Sequence, residues 1–208
     1  MKNIIKLSLL FFVLNINAQI VKPAEQYYTS NYINLDNVYF KDVNHIYDKF
    51  LGSWEYSSGP HYLKVVISKV VKKEFGVSST GERLRTKKQF FDKIKIDYIY
   101  KYNGVTVYNV MPPYQVVNGN IVSSSISGHI ITNYRSVNLG YNEPSTTTCM
   151  RGRTGRLQLT FIPNGGLPQL KWARTDQFSP KPDTYCPSGG QFDISEYKIP
   201  ADIILNKI

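Results

Sequence analysis

The chain has 208 residues, 42% of them hydrophobic, and a formal net charge of +10. This length is enough for one domain with a substantial core. The basic residues are scattered, and their nearest approaches to clusters, at 69–73, 83–88 and 151–156, are not interleaved with aromatic residues as in a nucleic-acid-binding module. We therefore interpret the positive charge as solvated surface charge and expect no nucleic-acid partner.

The first residues have the pattern of a secretory signal peptide. Lys2 and Lys6 give a positive start, residues 4–14 form an almost wholly apolar run, and Ala18 offers a cleavage point. The run is shorter than the roughly 20 residues needed to span a bilayer, and no long apolar stretch follows it. No cysteine lies near the cleavage point. We predict a signal peptide at 1–18 and an exported, soluble mature chain that is not a lipoprotein and has no transmembrane segment.

An arm and a helix are predicted next. Residues 19–35 show no clear period and are interpreted as an extended arm. After Asp36, apolar residues recur at spacings of three and four, as on one face of a helix, at Tyr39, Phe40, Val43, Ile46, Tyr47, Phe50 and Leu51. Asp36 or Asn37 could cap the start of this helix, and Gly52 could end it. We predict that 36–208 forms a single β-domain that begins with this helix.

After Gly52 the sequence is typical of strands and turns. In the clearest strand, at 91–102, charged residues alternate with a stripe formed by Ile94, Ile96, Tyr98, Tyr100 and Tyr102. This alternation indicates an antiparallel sheet with one covered face and one solvated face. Asn103-Gly104 then predicts a tight hairpin turn into a strand at 105–110.

Further strands are predicted at 61–72, 115–124, 126–137, 155–161, 168–174 and 201–208. The first carries apolar residues on both faces and could contain a bulge. Asn-Gly lies within the second, and Asn-Gly-Gly at 164–166 turns 155–161 into 168–174. Eight or nine strands at this spacing predict an all-β antiparallel barrel, with a sandwich as the alternative.

The sequence contains no recognisable catalytic or metal-binding motif. Its three histidines have no ligand spacing, and it lacks a phosphate loop, a nucleophile elbow and the local pattern of a catalytic thiol. We therefore expect no enzyme activity, metal or cofactor; a hydrolase built from converging acidic residues is the least favoured alternative. Cys149 and Cys186 are an even number in a chain with an export signal, which predicts a structural disulfide.

The 16 tyrosines are the most unusual feature of the composition. A tyrosine offers an apolar ring with a polar tip, which suits a ligand cavity and also the half-buried face of a sheet. The stripe at 94–102 is where we expect a ligand-facing wall, and ordinary strand packing is the alternative.

Gly52-Ser53-Trp54, placed after a helical turn and before a meander of strands, resembles the opening of the calycins, the superfamily of lipocalins and fatty-acid-binding proteins. The resemblance implies that Trp54 packs across the closed end of the barrel and that a basic side chain of a late strand lies over it. Arg174, on the same strand face as Trp172, is the residue implied for that cation–π contact. The Thr-Asp-Tyr triplet of lipocalins is absent.

Nearly the whole chain is similar to an uncharacterised family of small exported bacterial proteins, through "DKFLGSWEY", "IPNGGLPQLKWA" and "IPADIILNKI". This similarity implies export through the inner membrane, to the periplasm or the outside, and it supplies neither an activity nor a ligand. Our first hypothesis is a monomeric lipocalin-like binding protein with a small hydrophobic ligand inside the barrel. The alternative is an interaction or inhibitor-like module with a filled core, which acts through its outer surface and the basic loops at 73–90 and 151–156.

Overall fold

The computed structural model describes residues 19–27, 35–75, 87–113, 115–117, 120–122, 126–144, 153–177 and 197–208. The predicted signal peptide at 1–18 and both Cys149 and Cys186 lie outside the described residues. Within those ranges lie thirteen strands: β1 (Ile20–Pro23), β2 (Val38–Lys41), β3 (Gly52–Ser58), β4 (His61–Glu74), β5 (Gln89–Tyr102), β6 (Val105–Asn109), β7 (Gln115–Val117), β8 (Asn120–Val122), β9 (Ser127–Asn133), β10 (Ser136–Glu143), β11 (Arg153–Ile162), β12 (Gln169–Gln177) and β13 (Asp202–Lys207).

Eight of the strands close into an antiparallel barrel in the order β3–β4–β5–β9–β10–β11–β12–β13, with β13 paired to β3. The order around the barrel follows the chain, with β6, β7 and β8 inserted between the third and fourth barrel strands. Each member of the ring therefore has a hydrogen-bonded neighbour on both sides, which removes most of the open sheet edge. The predicted all-β antiparallel barrel is confirmed, and it has the up-and-down arrangement of a calycin-like barrel.

The strand pattern places the core inside this barrel. Buried side chains from seven of the eight barrel strands meet there and include Trp54, Leu63, Ile94, Leu139, Leu157, Trp172 and Leu205, whereas β9 contributes the partly buried Ile131. The predicted strand at 91–102 is β5, and it pairs with β6 across Asn103 and Gly104, which both have positive φ. The register of β4 against β5 shifts between Val70 and Lys73, so the predicted bulge is also present.

The helix predicted from Asp36 to Leu51 is wrong. Its first part is β2, in which both faces are buried, and its last part is a single 3₁₀ turn at Asp48–Phe50. The buried Asp42 carboxylate accepts the backbone N–H groups of Ile46 and Tyr47 at 2.7 and 3.3 Å. A side chain that bonds the backbone in this way offers it an alternative to helical hydrogen bonds. The apolar spacing arose from a strand followed by a turn.

The single strand predicted at 126–137 is also wrong, because the chain forms two strands there. β9 and β10 are joined by a turn at 134–135, and β10 continues to Glu143. The turn contains neither glycine nor proline; instead the Asn133 side-chain oxygen accepts the Arg135 backbone N–H at 2.8 Å. Such an Asx turn reverses the chain without the residues that usually mark a hairpin.

One edge of β5 is shared by three partners. β2 pairs with its start in parallel at 89–91, β9 pairs with its middle at Ile94 and Lys95, and β6 pairs with its end at 99–102. The β5–β9 contact, which closes the barrel, therefore has two registered residue pairs among the described residues. Beyond it β9 separates from β5. We call the place where these two strands part the seam.

Candidate functional site

The stripe predicted to face a ligand lies in the packed core. Ile94, Ile96, Tyr98 and Tyr100 are 0–1% exposed, and Tyr102, at the hairpin, is 45% exposed. A side chain that lines a space large enough for water keeps accessible surface, whether the space is open or enclosed. In this structure those four side chains therefore pack against the core and line no such space.

Trp54 lies near the start of β3 and is held there by two contacts. It is fully buried, and its indole N–H donates to the carbonyl oxygen of Phe50 at 2.8 Å. The Lys207 ammonium lies 4.4 Å from the centroid of the Trp54 ring and donates to the Leu51 carbonyl. Gly52 has a φ of 105°, and a Cβ there would lie 2.8 Å from Lys207 Nζ. The basic side chain over Trp54 thus comes from β13, and the pairing of Arg174 with Trp54 is wrong.

Arg174 belongs instead to a polar network inside the other flank of the barrel. Its guanidinium carbon lies 4.2 Å from the centroid of the Tyr197 ring, and its Nη1 lies 3.1 Å from a carboxylate oxygen of Glu143. Trp172, on the same strand face, is fully buried with its ring edge-on to Tyr141. Arg174 therefore joins β12 to β10 and to the segment that begins at 197.

Glu143 is the centre of that network. Its buried carboxylate accepts the hydroxyls of Tyr141 at 2.6 Å and Tyr108 at 3.2 Å, and the backbone N–H groups of Lys198 and Ile199. Burial, followed by the charge of Glu143, raises the pKa of Tyr141 well above its usual value. Because every oxygen has partners and the group is enclosed, we interpret this network as structural.

An aromatic cluster lies at the seam. The rings of Phe91 and His129 have centroids 4.0 Å apart, and Tyr27 is edge-on to both, at 4.9 and 5.3 Å. Phe75 approaches Phe91 and His129 at 5.4 Å from each. Tyr27 follows a 3₁₀ turn at Ala24–Gln26 that packs on β9, so residues of the predicted arm help to build this cluster.

The cluster lines a groove on the outer wall of the barrel, with a volume of about 500 Å³. Phe91 and Lys93 alternate along β5 with the buried Ile94 and Ile96, so they point away from the core. The groove spans four barrel strands and is lined by Tyr27, Lys73, Glu74, Phe75, Phe91, Lys93, Ser127, Gly128, His129, Ile130, Asn138 and Gly140. Its volume lies within the range of roughly 300–1,000 Å³ typical of small-molecule sites.

Two lysines give one side of the groove a positive charge. Lys93 Nζ donates to the Ser127 hydroxyl at 3.4 Å, and Lys73 is in register with Phe91 on the same face of the sheet. Among the described residues neither ammonium forms an ion pair with a carboxylate. Burial lowers the pKa of Lys93, and the charges of Lys73 and Lys95 lower it further. The groove therefore combines aromatic rings with two cations that lack a protein counter-ion within the described part of the chain.

The groove is closed at its back and open along β9. Behind it, the Tyr47 hydroxyl donates to the His129 carbonyl oxygen at 2.9 Å and lies 3.3 Å from that of Asp92. Burial and the charges of Asp42 and Asp92 raise the pKa of Tyr47, which keeps this hydroxyl protonated. A second cavity of about 410 Å³ adjoins the groove and shares Ile130 and Asn138 with it. The groove and this second cavity together form a continuous concave surface along β9.

The geometry defines a closed, eight-stranded up-and-down β-barrel whose fold is compatible with a binding protein. The chain belongs to DUF6705, a family of unknown function, and the match spans residues 1–208. This agrees with the similarity to an uncharacterised family. Neither a curated protein nor a solved structure matches the chain.

Two negative findings apply to the described part of the chain. No helix within it is long and apolar enough to cross a membrane. The same residues contain no group of three or more His, Cys, Asp or Glu side chains placed to hold a metal ion.

Proposed function

We propose that the protein is an exported binding protein that holds a small hydrophobic ligand in the groove on its outer wall. The observation that carries this proposal is the aromatic cluster of Tyr27, Phe75, Phe91 and His129, which lines a groove of ligand size. The export part rests on the signal-like start of the sequence. The proposal differs from our sequence-based hypothesis in the position of the ligand, outside the barrel wall instead of within it.

The groove has the rigidity that a binding site needs. Tyr27 and Phe91 are buried and packed against Phe40, so they form a fixed floor. Phe75 and His129 are half-buried and leave part of their rings open to a ligand. A site built on barrel strands is already formed before binding, so little conformational entropy is lost when a ligand enters.

A substitution at Gly140 tests the position of the site. Gly140 is exposed in β10, and a Cβ there would meet only the Ser127 carbonyl oxygen, at the ordinary distance of 3.7 Å. Gly140→Leu therefore fills the groove without disturbing the sheet. We expect it to weaken binding of the neutral fluorescent probe N-phenyl-1-naphthylamine at least tenfold, measured by titration of the full mature chain.

The matched control is Gly166→Leu, which adds the same side chain in the β11–β12 connection, where a Cβ would meet nothing within 4 Å. It should leave probe binding unchanged. Equal probe affinity in wild type and Gly140→Leu would contradict the groove as the site. Native mass spectrometry of the protein purified from its own host should show a bound small molecule that Gly140→Leu loses.

The packed tyrosine stripe also favours the alternative of a surface-acting interaction module. Its predicted basic loops at 73–90 and 151–156 include Lys73, which lines the groove, whereas 76–86 and 151–152 lie outside the described residues. Charge reversal at Lys87 and Lys88 separates the two functions. We expect it to leave probe binding intact, whereas an interaction module would lose its protein partner.

A further inference from the structure

We infer that the groove selects a small molecule with a flat apolar body and one carboxylate, and that Lys93 and Lys73 bind the carboxylate. This inference rests on the proposed function, because it names the ligand class of the same groove. It requires that the two ammonium groups and the rings face the same ligand, and that the ammonium groups have no counter-ion among the described residues.

The register of the strands places the cations and rings on one face. Lys73 of β4 is in register with Phe91 of β5, and Lys93 follows two residues later on the same face. The pairing of Ile94 with Gly128 puts His129 beside Lys93. Positions two apart on a strand face are separated by about 7 Å. A carboxylate between the two ammonium groups would therefore lie next to the Phe91 and His129 rings.

Two other partly buried lysines on the same strands, Lys69 and Lys95, have counter-ions. Lys69 of β4 is 2.7 Å from the Asp42 carboxylate, and Lys95 of β5 is 2.9 Å from that of Asp97. Lys93, next to Lys95 on the same face of β5, has the Ser127 hydroxyl instead. Glu74 also lines the groove, but it forms no ion pair with Lys73 or Lys93.

Compared with Lys69 and Lys95, Lys93 in the groove lacks a carboxylate counter-ion among the described residues. A half-buried ammonium without a counter-ion is unfavourable, and a second positive charge nearby increases the cost. A ligand carboxylate would replace water at Lys93 and offset the repulsion from Lys73, while the Ser127 hydroxyl lies within reach of the same oxygens. The aromatic rings would cover the apolar body of that ligand. A neutral ligand of equal shape gains only the contact with the aromatic rings.

A matched pair of ligands tests the inference. 2-Naphthoate and 2-naphthamide have the same ring system and differ in charge. Isothermal titration calorimetry on the full mature chain should give about tenfold tighter binding of the carboxylate to wild type. Lys93→Met should abolish this preference by weakening naphthoate binding alone. Lys73→Met should reduce the preference, because Lys73 supplies the second charge.

Lys64→Met is the matched control, because Lys64 also lies on β4 but pairs with Ile99, far along the strand from Lys73. It should leave the tenfold preference in place. Equal affinity of wild type for the two ligands, or a preference that survives Lys93→Met, overturns the carboxylate inference while the groove proposal stands. Failure of both ligands to bind wild type overturns the groove proposal together with the inference. Circular dichroism of each variant verifies that it is folded.

Discussion

At the scale of single residues, Gly52 and Lys207 show how one position depends on another that is distant in sequence. Gly52 begins β3 with a positive φ, and a Cβ at this position would lie only 2.8 Å from the Lys207 ammonium. That ammonium covers Trp54 and bonds the Leu51 carbonyl. Glycine at this position therefore allows the positive φ of the backbone and leaves room for the Lys207 side chain over Trp54.

We expect Gly52→Ala to destabilise the protein by about 2–3 kcal/mol, because it combines an unfavourable φ with a clash against Lys207. Urea unfolding of the two proteins gives the difference in free energy of unfolding. The double variant Gly52→Ala with Lys207→Met removes the clash and keeps the backbone strain. In the Lys207→Met background, Gly52→Ala should therefore lower the free energy of unfolding by about 1 kcal/mol less than it does in wild type.

Gly165→Ala is the control for this experiment, since a Cβ at Gly165 meets nothing within 4 Å and its φ is unexceptional. Its effect should be within about 0.5 kcal/mol of zero. A Gly52→Ala variant as stable as Gly165→Ala would show that neither the positive φ nor the contact with Lys207 constrains this position.

At the scale of elements, β5 organises the molecule because three strands share one of its edges. The consequence is a barrel closed by few β5–β9 bonds at the point where the groove lies. The Tyr47 hydroxyl compensates there, because it bonds the β9 carbonyl of His129 and lies close to the β5 carbonyl of Asp92. A side chain from the turn before β3 thus holds two strands together.

Tyr47→Phe should therefore loosen the seam selectively. Loss of one buried hydrogen bond costs about 1–2 kcal/mol and leaves the His129 carbonyl without this donor. We expect faster amide hydrogen exchange at Ile96 and in the neighbouring residues of β9, with little change in β11 and β12. Tyr62→Phe is the control, because the Tyr62 hydroxyl contacts Glu55 at 3.4 Å, which is long for a hydrogen bond. Uniformly faster exchange throughout the barrel would contradict a local role for Tyr47.

The same elements show which parts of the fold were predictable from the sequence. Strands with one wet face and a strong turn, such as β5 followed by Asn103-Gly104, were predicted closely because alternation and positive φ are local properties. The helix at 36–51 was mistaken because β2 is buried on both faces, so its apolar residues do not alternate, and because Asp42 replaces backbone partners. The Asn133 turn was missed because it uses a side-chain bond instead of glycine.

The groove was not predicted because its residues are far apart in sequence. Tyr27, Phe75, Phe91 and His129 come from four separate segments, and each is an ordinary strand or loop residue in its own context. One local signal was available: Phe91 occupies the outer face of β5, on which the following residues are Lys93, Lys95 and Asp97. An aromatic residue on a charged face indicates that something covers that face, but only the strand register shows what does.

At the scale of the whole molecule, the barrel acts as a stable scaffold that tolerates an unfavourable charge in the groove. The interior stripe packs tightly, and the Glu143–Arg174 network closes one flank with all its polar groups bonded. The close packing of the stripe and the bonded polar groups of the network follow the usual rules for a stable core. Lys93 does not, because it is half-buried among other positive charges. Residues kept at a cost to stability are characteristic of functional sites.

We therefore expect Lys93→Met to be more stable than wild type at pH 7, even though it loses the preference for a carboxylate ligand. Because the pKa of Lys93 is lowered in the folded protein, the cost of its charge is fully present below the folded pKa. That cost disappears as the pH rises through the folded pKa to the ordinary lysine value of about 10.4. The advantage of Lys93→Met should be about 1 kcal/mol or less, since Lys93 stays partly solvated, and should shrink between pH 7 and pH 11.

Urea unfolding of wild type and Lys93→Met across that pH range measures the difference directly, and titration of the tyrosines common to both proteins cancels in the comparison. Saturating 2-naphthoate should reverse the order of stability at pH 7, because wild type binds the ligand about tenfold more tightly and is therefore stabilised by it more than Lys93→Met is. Wild type more stable than Lys93→Met without ligand would mean that Lys93 is already compensated within the protein. In that case the groove would have no need of an anion, and the charge of the ligand would have to be explained by contacts other than those of Lys93.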